Sequence, residues 1–204
     1  MKAYIFIKSI LDRLIAFMLL IILLPILLTI AIAIKCDSKG PVLFKQKRVG
    51  QNKQLFDIWK FRTMRIDAPK DMPTHLFINA ESYITRVGSI LRKTSLDELP
   101  QLFNILQGKM SFIGPRPALW NQEDLIMARE TSNVNSIKPG LTGWAQVNGR
   151  DELSISERAQ YDVQYLNQIS IFTDLKIIFL TIYSVFLGKG IVEGMQTDGH
   201  QKIK

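Results

Sequence analysis

The sequence predicts a mixed α/β protein, mostly helical, with a membrane-embedded N-terminal segment and a compact domain behind it. Three observations predict this: a long apolar run early in the chain, two β-favouring segments joined by a turn, and several later segments with apolar residues at helical spacing. A length of 204 residues suits one ordinary domain with an anchor. We expect the anchor in residues 1–38 and the domain in residues 39–204.

The apolar run covers residues 14–34 and reads LIAFMLLIILLPILLTIAIAI, in which Thr29 carries the one polar side chain. A helix of this length, at about 1.5 Å per residue, matches the thickness of a bilayer core. The run is too long for the apolar part of a typical cleaved signal peptide. We therefore expect it to enter the membrane and to remain attached.

Pro25 lies near the middle of this run. Its ring nitrogen has no proton to bond the carbonyl of Ile21, and the ring clashes there, so we expect a kink or break. Lysines and arginines flank both ends of the run, and the positive-inside rule then gives no strong orientation. A helix that enters, turns at Pro25 and returns would place both cationic ends at the anionic inner leaflet. This re-entrant anchor is the favoured prediction, and a kinked single-pass helix is the alternative; either places residues 35–204 in the cytosol.

The charge of the chain favours anionic partners. The net charge is +8 and the sequence pI is about 9.6. Beside an apolar anchor, this predicts acidic inner-leaflet lipids and phosphorylated substrates as partners, and no nucleic acid.

The single cysteine, Cys36, excludes an internal disulfide and fits a cytosol-facing domain. His75 and His200 lie far apart without metal-ligand spacing, and we expect ordinary surface or loop positions for both.

The remaining elements follow from periodicity. Residues 41–64 alternate short apolar groups with cations around a turn at 50–52, which predicts a small β-hairpin close to the membrane. Residues 66–80 are expected to form a loop. Apolar spacing then predicts further helices, in residues 84–93, 96–106, 122–130 and 154–167. Residues 177–187 are too short to span a bilayer, which leaves an interfacial helix and a core helix both open.

Two adjacent carboxylates, Asp97 and Glu98, lie in the stretch where charges of both signs are densest. A carboxylate at a helix N-terminus is stabilised as an anion and can act as a nucleophile toward phosphorus or as a ligand of Mg²⁺. The alternative is structural, because Ser95 and Glu98 have the spacing of a capping box. Pro100 would clash near the carbonyl of Leu96 in such a helix. The first turn is therefore expected to be distorted or to start nearer Asp97.

Arg116 lies between two prolines in the segment GPRP, residues 114–117. The prolines fix the backbone φ on either side, which reduces the entropy lost when the guanidinium binds a phosphate. The alternative is a rigid turn with an exposed arginine.

A third segment, KPGLTGWAQVNGR at residues 138–150, contains three glycines and one proline. We expect a substrate-binding loop with exposed backbone donors, flanked by Lys138 and Arg150, although glycine-rich loops alone are weakly specific. Trp144 within it is suited either to stacking on a base or to anchoring at the bilayer surface.

Four motifs occur in order behind the hydrophobic N-terminus: KFRTM at 60–64, TSLDELPQLFNIL at 94–106, GKMSFIGPRP at 108–117 and KPGLTGWAQVNGR at 138–150. Over residues 8–190 the chain resembles the bacterial sugar transferases, the monotopic polyprenyl-phosphate phosphoglycosyl transferases, and in length their small members. In that family the membrane helix breaks at a proline that is commonly preceded by serine. Pro25 matches, and Leu24 replaces the serine.

The resemblance implies a two-step transfer at the bacterial cytoplasmic membrane. Asp97 would attack the sugar-bearing phosphate of a UDP-sugar, release UMP and form a phosphosugar ester, which polyprenyl (undecaprenyl) phosphate then accepts. Glu98 would assist with Mg²⁺ and proton handling, so both carboxylates are candidate metal ligands. Candidate phosphate-binding residues are Lys60, Arg92, Arg116 and Arg150. Such a step would be the first membrane step in the biosynthesis of a polysaccharide or glycoconjugate.

Two other functions are compatible with part of the sequence. A basic membrane-surface adaptor or nucleic-acid binder accounts for the charge but not for the acidic pair beside GPRP. A membrane phosphatase or pyrophosphatase would use Asp97 as nucleophile with water as acceptor. The transferred sugar, the pathway and the oligomeric state, including a homo-oligomer, stay open at this point.

Overall fold

The chain folds into α-helices and short β-strands within residues 2–69, 80–149 and 152–187, the parts that the computed structural model describes. The helices are α1 (Lys2–Ile22), α2 (Leu24–Asp37), α3 (Arg86–Thr94), α4 (Gln101–Leu106), α5 (Glu123–Glu130), α6 (Trp144–Val147), α7 (Ile155–Asn167) and α8 (Ile171–Leu187). The strands are β1 (Leu43–Val49), β2 (Leu55–Phe61), β3 (Ser111–Ile113) and β4 (Gly140–Thr142). The described part is mostly helical, as predicted, and contains two small sheets, of which the β1–β2 hairpin was predicted and the β3–β4 pair was not. His75 and His200 lie outside these ranges, as does most of the predicted 66–80 loop.

The N-terminal helices α1 and α2 meet at a break. Leu23 separates them, and their axes are bent by 64°. Pro25 is the second residue of α2, where its missing N–H costs no hydrogen bond within that helix. The predicted break therefore forms, two residues before the proline and with leucine in the place of serine. Among the described residues no single helix is long and apolar enough to cross a bilayer. The two helices of the bent pair, taken together, meet the requirements of length and composition. The re-entrant course remains a prediction.

One face of α1 is packed and another is exposed. Ala16 and Leu20 are buried in a cluster with Phe56 and Ile58 of β2 and with residues of α4. The other face exposes large apolar side chains, and so does α8; among them are Phe6, Leu14, Phe17, Phe172 and Phe179. Exposed apolar surface of this extent marks contact with a membrane or another protein.

The predicted β-hairpin is present. Strands β1 and β2 pair antiparallel, with Leu43 opposite Phe61 and Val49 opposite Leu55. The connection is a 3₁₀ turn, Gln51–Lys53. Buried side chains of β2 join the cluster under α1, so the hairpin lies directly beside the N-terminal helices.

The predicted exposed loop at 138–150 is wrong over residues 140–147. Gly140–Thr142 is strand β4, paired parallel with β3, and α6 follows it. A Cβ on Gly140 would lie 2.1 Å from the backbone nitrogen of Gly114, so this glycine permits close strand approach. Trp144 donates from Nε1 to Oε1 of Gln164 at 3.1 Å, with the Lys176 ammonium 5.0 Å from its ring centre.

Helices α5 and α7 are joined by an ion pair that water hardly reaches. Nη2 and Nε of Arg129 donate to Oδ2 of Asp162 at 2.6 and 2.9 Å, and the two side chains are 5% and 1% exposed. Burial raises the pKa of Asp162, and the Arg129 charge opposes that shift. The carboxylate therefore depends on its partner to remain charged in the core.

Loss of Arg129 is expected to destabilise the fold strongly. Arg129→Met removes the hydrogen-bonded partner of a buried carboxylate, which lowers the free energy of unfolding by about 3–5 kcal/mol. The matched control is Lys53→Met, because the Lys53–Glu130 pair is half exposed at 2.8 Å and should cost less than about 1 kcal/mol. Thermal unfolding in detergent micelles measures both. Equal losses in the two variants would contradict the assignment of the buried pair.

Candidate active site

Asp97 and Glu98 lie on a tight turn between two helices. Ser95 ends α3 in the left-handed region, at φ 57°, and Leu96–Glu98 form a single 3₁₀ turn. Pro100 directly precedes α4 and lacks the N–H that a helix continuing from Leu96 would need. The predicted distortion of the first turn is confirmed. The alternative interpretation, a capping box, is wrong. The Ser95 side chain makes no capping hydrogen bond, and Ser95 ends α3 instead of starting a helix. A capping box does occur at Ser154 and Glu157.

Asn104 of α4 holds this turn against the hairpin. Its Oδ1 accepts the N–H of Trp59 at 2.9 Å, and its Nδ2 donates to the carbonyl of Asp57 at 2.8 Å. The side chain thus pairs with the edge of β2 as a neighbouring strand would. Asn104 is buried, so each of these bonds satisfies a group that would otherwise be isolated from water. Asn104 was not predicted from the sequence, where its signal was a polar residue on the inner face of TSLDELPQLFNIL.

Two cations converge on Glu98. Nζ of Lys60, on β2, lies 2.7 Å from Oε1 of Glu98, and Nη2 of Arg116 lies 3.0 Å from the same oxygen. Lys60 is also 3.8 Å from Oδ2 of Asp97. Lys60 therefore meets both carboxylates and Arg116 meets Glu98, although Lys60 is 38 positions from Glu98 in the sequence.

Burial dominates the electrostatics of Asp97, which is 9% exposed. Desolvation raises the pKa of Asp97 above that of an ordinary aspartate, and the adjacent Glu98 charge raises it further. Lys60 opposes the shift most, followed by Arg92 and Arg116. The carboxylate is thus poorly hydrated and depends on these cations for its charge.

A cavity of about 700 Å³ opens beside Asp97. This volume lies within the range of roughly 300–1,000 Å³ for small-molecule sites. Its lining includes one carboxylate, Asp97, and six cations: Lys45, Arg48, Lys60, Arg62, Arg65 and Arg92. We call it the cationic cavity. Such a lining suits a ligand that carries several negative charges.

The sequence profile of one family, described as bacterial sugar transferase, matches residues 3–188. The chain belongs to the bacterial sugar transferase family. Known members share about 40% of their aligned residues with it. The UDP-glucose:undecaprenyl-phosphate glucose-1-phosphate transferase of Escherichia coli K12 is 40% identical over 185 residues, which are 87% of this chain but 40% of that protein. This chain therefore spans well under half of that relative.

Two shorter relatives align over most of their length. The uncharacterized sugar transferase EpsL of Bacillus subtilis is 41% identical over 81% of this chain and 80% of its own. The exopolysaccharide production protein ExoY of Rhizobium meliloti is 37% identical over 88% of this chain and 85% of its own.

Two arginines that line the cationic cavity of this sugar transferase family member were not predicted from the sequence as site residues. Arg48 bridges β1 to the GPRP segment: Nη1 donates to the carbonyl of Pro117 at 3.0 Å, while Nε and Nη2 donate to Oε1 of Gln46. Burial, with repulsion from Arg116, lowers the pKa of Arg48 to about 9, so it stays charged at neutral pH. Several cations lie close together in β1, so the sequence did not indicate that Arg48 differs in role from its neighbours.

Arg62, within the KFRTM motif, is the second. Nη2 donates to the carbonyl and hydroxyl oxygens of Ser38 at 2.7 and 2.8 Å. Among the described residues, Nε and Nη1 meet no acceptor although both are buried. Buried donors of this kind are normally satisfied, so a bound anion in the adjoining cavity would complete the site.

The remaining predicted residues divide by position. Arg92 lies in the last turn of α3 and lines the cationic cavity, so the structure brings it beside Asp97. Pro25 lies at the break between the N-terminal helices, apart from the carboxylates. Arg150 lies outside the described residues.

The pKa of Asp97 should respond in opposite directions to changes at its two neighbours. Lys60→Met removes the largest opposing charge and raises the pKa of Asp97 further, whereas Glu98→Gln removes a repelling charge and lowers it. Infrared titration of the carboxylate band, with Asp97→Asn subtracted to assign the signal, measures both shifts. Shifts of the same sign would show that this cluster does not control Asp97.

Proposed function

We propose that the chain transfers a sugar-1-phosphate from a UDP-sugar to polyprenyl phosphate, such as undecaprenyl phosphate, through a covalent phosphosugar–Asp97 intermediate. The observation that carries the proposal is a buried carboxylate, Asp97, at the wall of a cavity with six cations. The name of the Escherichia coli relative, a UDP-glucose:undecaprenyl-phosphate transferase, supports the substrate classes.

In the first step an oxygen of the Asp97 carboxylate attacks the phosphorus that bears the sugar. A bond forms between that oxygen and phosphorus, the bond to the UMP oxygen breaks, and UMP leaves with the electron pair. An anion must approach a diphosphate here, so Lys60 and Arg92 offset the repulsion. Little water surrounds Asp97, which leaves its carboxylate less solvated than one at the surface.

In the second step an oxygen of the polyprenyl phosphate attacks the same phosphorus. The bond to Asp97 breaks, the carboxylate is restored, and the product is a lipid-linked diphosphate sugar. Water in place of the lipid would make the protein a phosphatase, and the product would then be free sugar phosphate. Glu98 holds Lys60 and Arg116 on one oxygen, which keeps both positive charges near the Asp97 carboxylate.

Mg²⁺ is part of the proposal. The ion commonly binds through one or two carboxylates together with substrate phosphates. Asp97 and Glu98 supply two carboxylates. No cluster of three or more acidic, histidine or cysteine side chains that could hold a metal ion occurs among the described residues. These two residues would hold Mg²⁺ jointly with the diphosphate, where it would neutralise developing negative charge.

We place this activity at the bacterial cytoplasmic membrane. The bent helix pair and the exposed apolar faces of α1 and α8 support attachment to a bilayer. A site attached in this way receives a water-soluble UDP-sugar from the cytosol and a lipid phosphate from the membrane. ExoY of Rhizobium meliloti is named for exopolysaccharide production, which supports a role early in the assembly of a polysaccharide or glycoconjugate.

Asp97→Asn should abolish transfer, and Glu98→Gln should nearly do so. Loss of the nucleophile is expected to lower turnover by on the order of 10³-fold or more. UMP release from a panel of UDP-sugars with polyprenyl phosphate and Mg²⁺ is the measurement. Asp124→Asn, an exposed aspartate on α5, is the matched control and should leave turnover unchanged. Near-normal UMP release by Asp97→Asn would overturn the mechanism, and free sugar phosphate as product would favour the phosphatase.

A further inference from the structure

A second cavity, of about 550 Å³, adjoins the other member of the carboxylate pair. Glu98 and Arg116 line it, whereas Asp97 and Lys60 line the cationic cavity, and the two cavities share no lining residue among those described. Most of its other lining side chains are apolar and come from α1, α8 and the β3–β4 region. We call it the apolar cavity.

Two helices form the long walls of the apolar cavity. Leu11, Ile15 and Leu19 follow one another at intervals of four residues and thus lie on one face of α1. On α8 the spacing is three and then four residues, again one face, with Leu175, Ile178 and Ile182. The walls are therefore two stripes of branched aliphatic side chains, one on each helix, which suit a hydrocarbon chain.

Lys8 and Asp174 also line this cavity, but their charges are paired. Oδ2 of Asp174 accepts from Nζ of Lys8 at 2.6 Å and from the Tyr4 hydroxyl at 2.7 Å, and its Oδ1 accepts from Tyr165 at 2.9 Å. These bonds join α1 to α7 and α8. Arg116 is the cation that lines the apolar cavity next to the carboxylate pair, where it contacts Glu98.

The apolar cavity is continuous with surface suited to a bilayer. Leu11, Ile15, Leu175 and Ile182 line it and are each about half exposed, on helices whose neighbouring faces also expose large apolar side chains. A lipid chain can therefore enter from the membrane without crossing water.

We propose that the apolar cavity binds the prenyl chain of the acceptor, with the acceptor phosphate at Arg116 and Glu98. This inference rests on the proposed function and assigns the acceptor within it. The nucleoside end of the donor and the prenyl end of the acceptor then occupy different cavities, and their phosphates take turns at the carboxylate pair. After UMP has left, the acceptor phosphate takes the place of its phosphate and attacks the phosphorus opposite Asp97, as in-line displacement requires.

The test compares two neighbouring residues of α8. Ile178→Trp narrows the cavity, whereas Phe179 is 70% exposed and does not line it, so Phe179→Trp is the matched control. Ile178→Trp should raise KM for a long-chain polyprenyl phosphate about tenfold, as expected for a crowded apolar site, and raise KM for a two-isoprene phosphate less. The UMP burst from donor alone, which needs no acceptor, should persist. Phe179→Trp should change neither KM.

Equal acceptor KM values in Ile178→Trp, Phe179→Trp and the unsubstituted protein would overturn the inference. A missing UMP burst in the unsubstituted protein would instead overturn the proposed function. Should Ile178→Trp not fold, photo-crosslinking of the unsubstituted protein replaces it. A photoreactive polyprenyl phosphate should label peptides of α1 and α8, and far more strongly than the matching prenyl alcohol. Labelling elsewhere, or equal labelling by the alcohol, would contradict the assignment.

Discussion

The pairing of the Asn104 side chain with β2 is the contact on which the site geometry depends. One amide group satisfies the N–H of Trp59 and the carbonyl of Asp57 and so fixes α4 to the strand that carries Lys60. The turn with Asp97 and Glu98 immediately precedes α4, so its distance to Lys60 follows from this join. The same helix packs on α1, which ties the carboxylates to the N-terminal helices. These contacts therefore position the carboxylates relative to the exposed apolar surface of α1.

The second constraint is electrostatic. Burial raises the pKa of Asp97 and the cations around it oppose that shift, so neither burial nor ion pairing alone sets its properties. Glu98 concentrates two of these cations at one oxygen. A diphosphate that enters the cationic cavity meets Lys60, one of these two cations, together with Arg92. The proposed nucleophile and its proposed substrate thus depend on shared positive charges, which suits a reaction between anions.

Local patterns in the sequence predicted local structure well. The hairpin, α3, α5, α7 and the distorted turn at Pro100 follow from spacing and from the chemistry of proline, and the carboxylates stood out by charge. The errors have a different origin, because they depend on partners far along the chain. Glu98 contacts Lys60 and Arg116 instead of capping a helix, and residues 140–142 form a strand because β3 lies beside them. Asn104 gained its significance only when α4 met β2, and Arg62 only when the end of β2 met Ser38.

The covalent step is the central claim, and the mass of the protein after reaction with the donor tests it most directly. The protein is mixed with UDP-sugar and Mg²⁺ without acceptor, quenched in acid, digested and measured by mass spectrometry. We expect the peptide that contains Asp97 to gain the mass of one sugar phosphate, attached at that residue, and to lose it when polyprenyl phosphate is added before the quench. Stoichiometric UMP release with an unmodified Asp97 peptide, or a sugar phosphate attached to another residue, would contradict the claim.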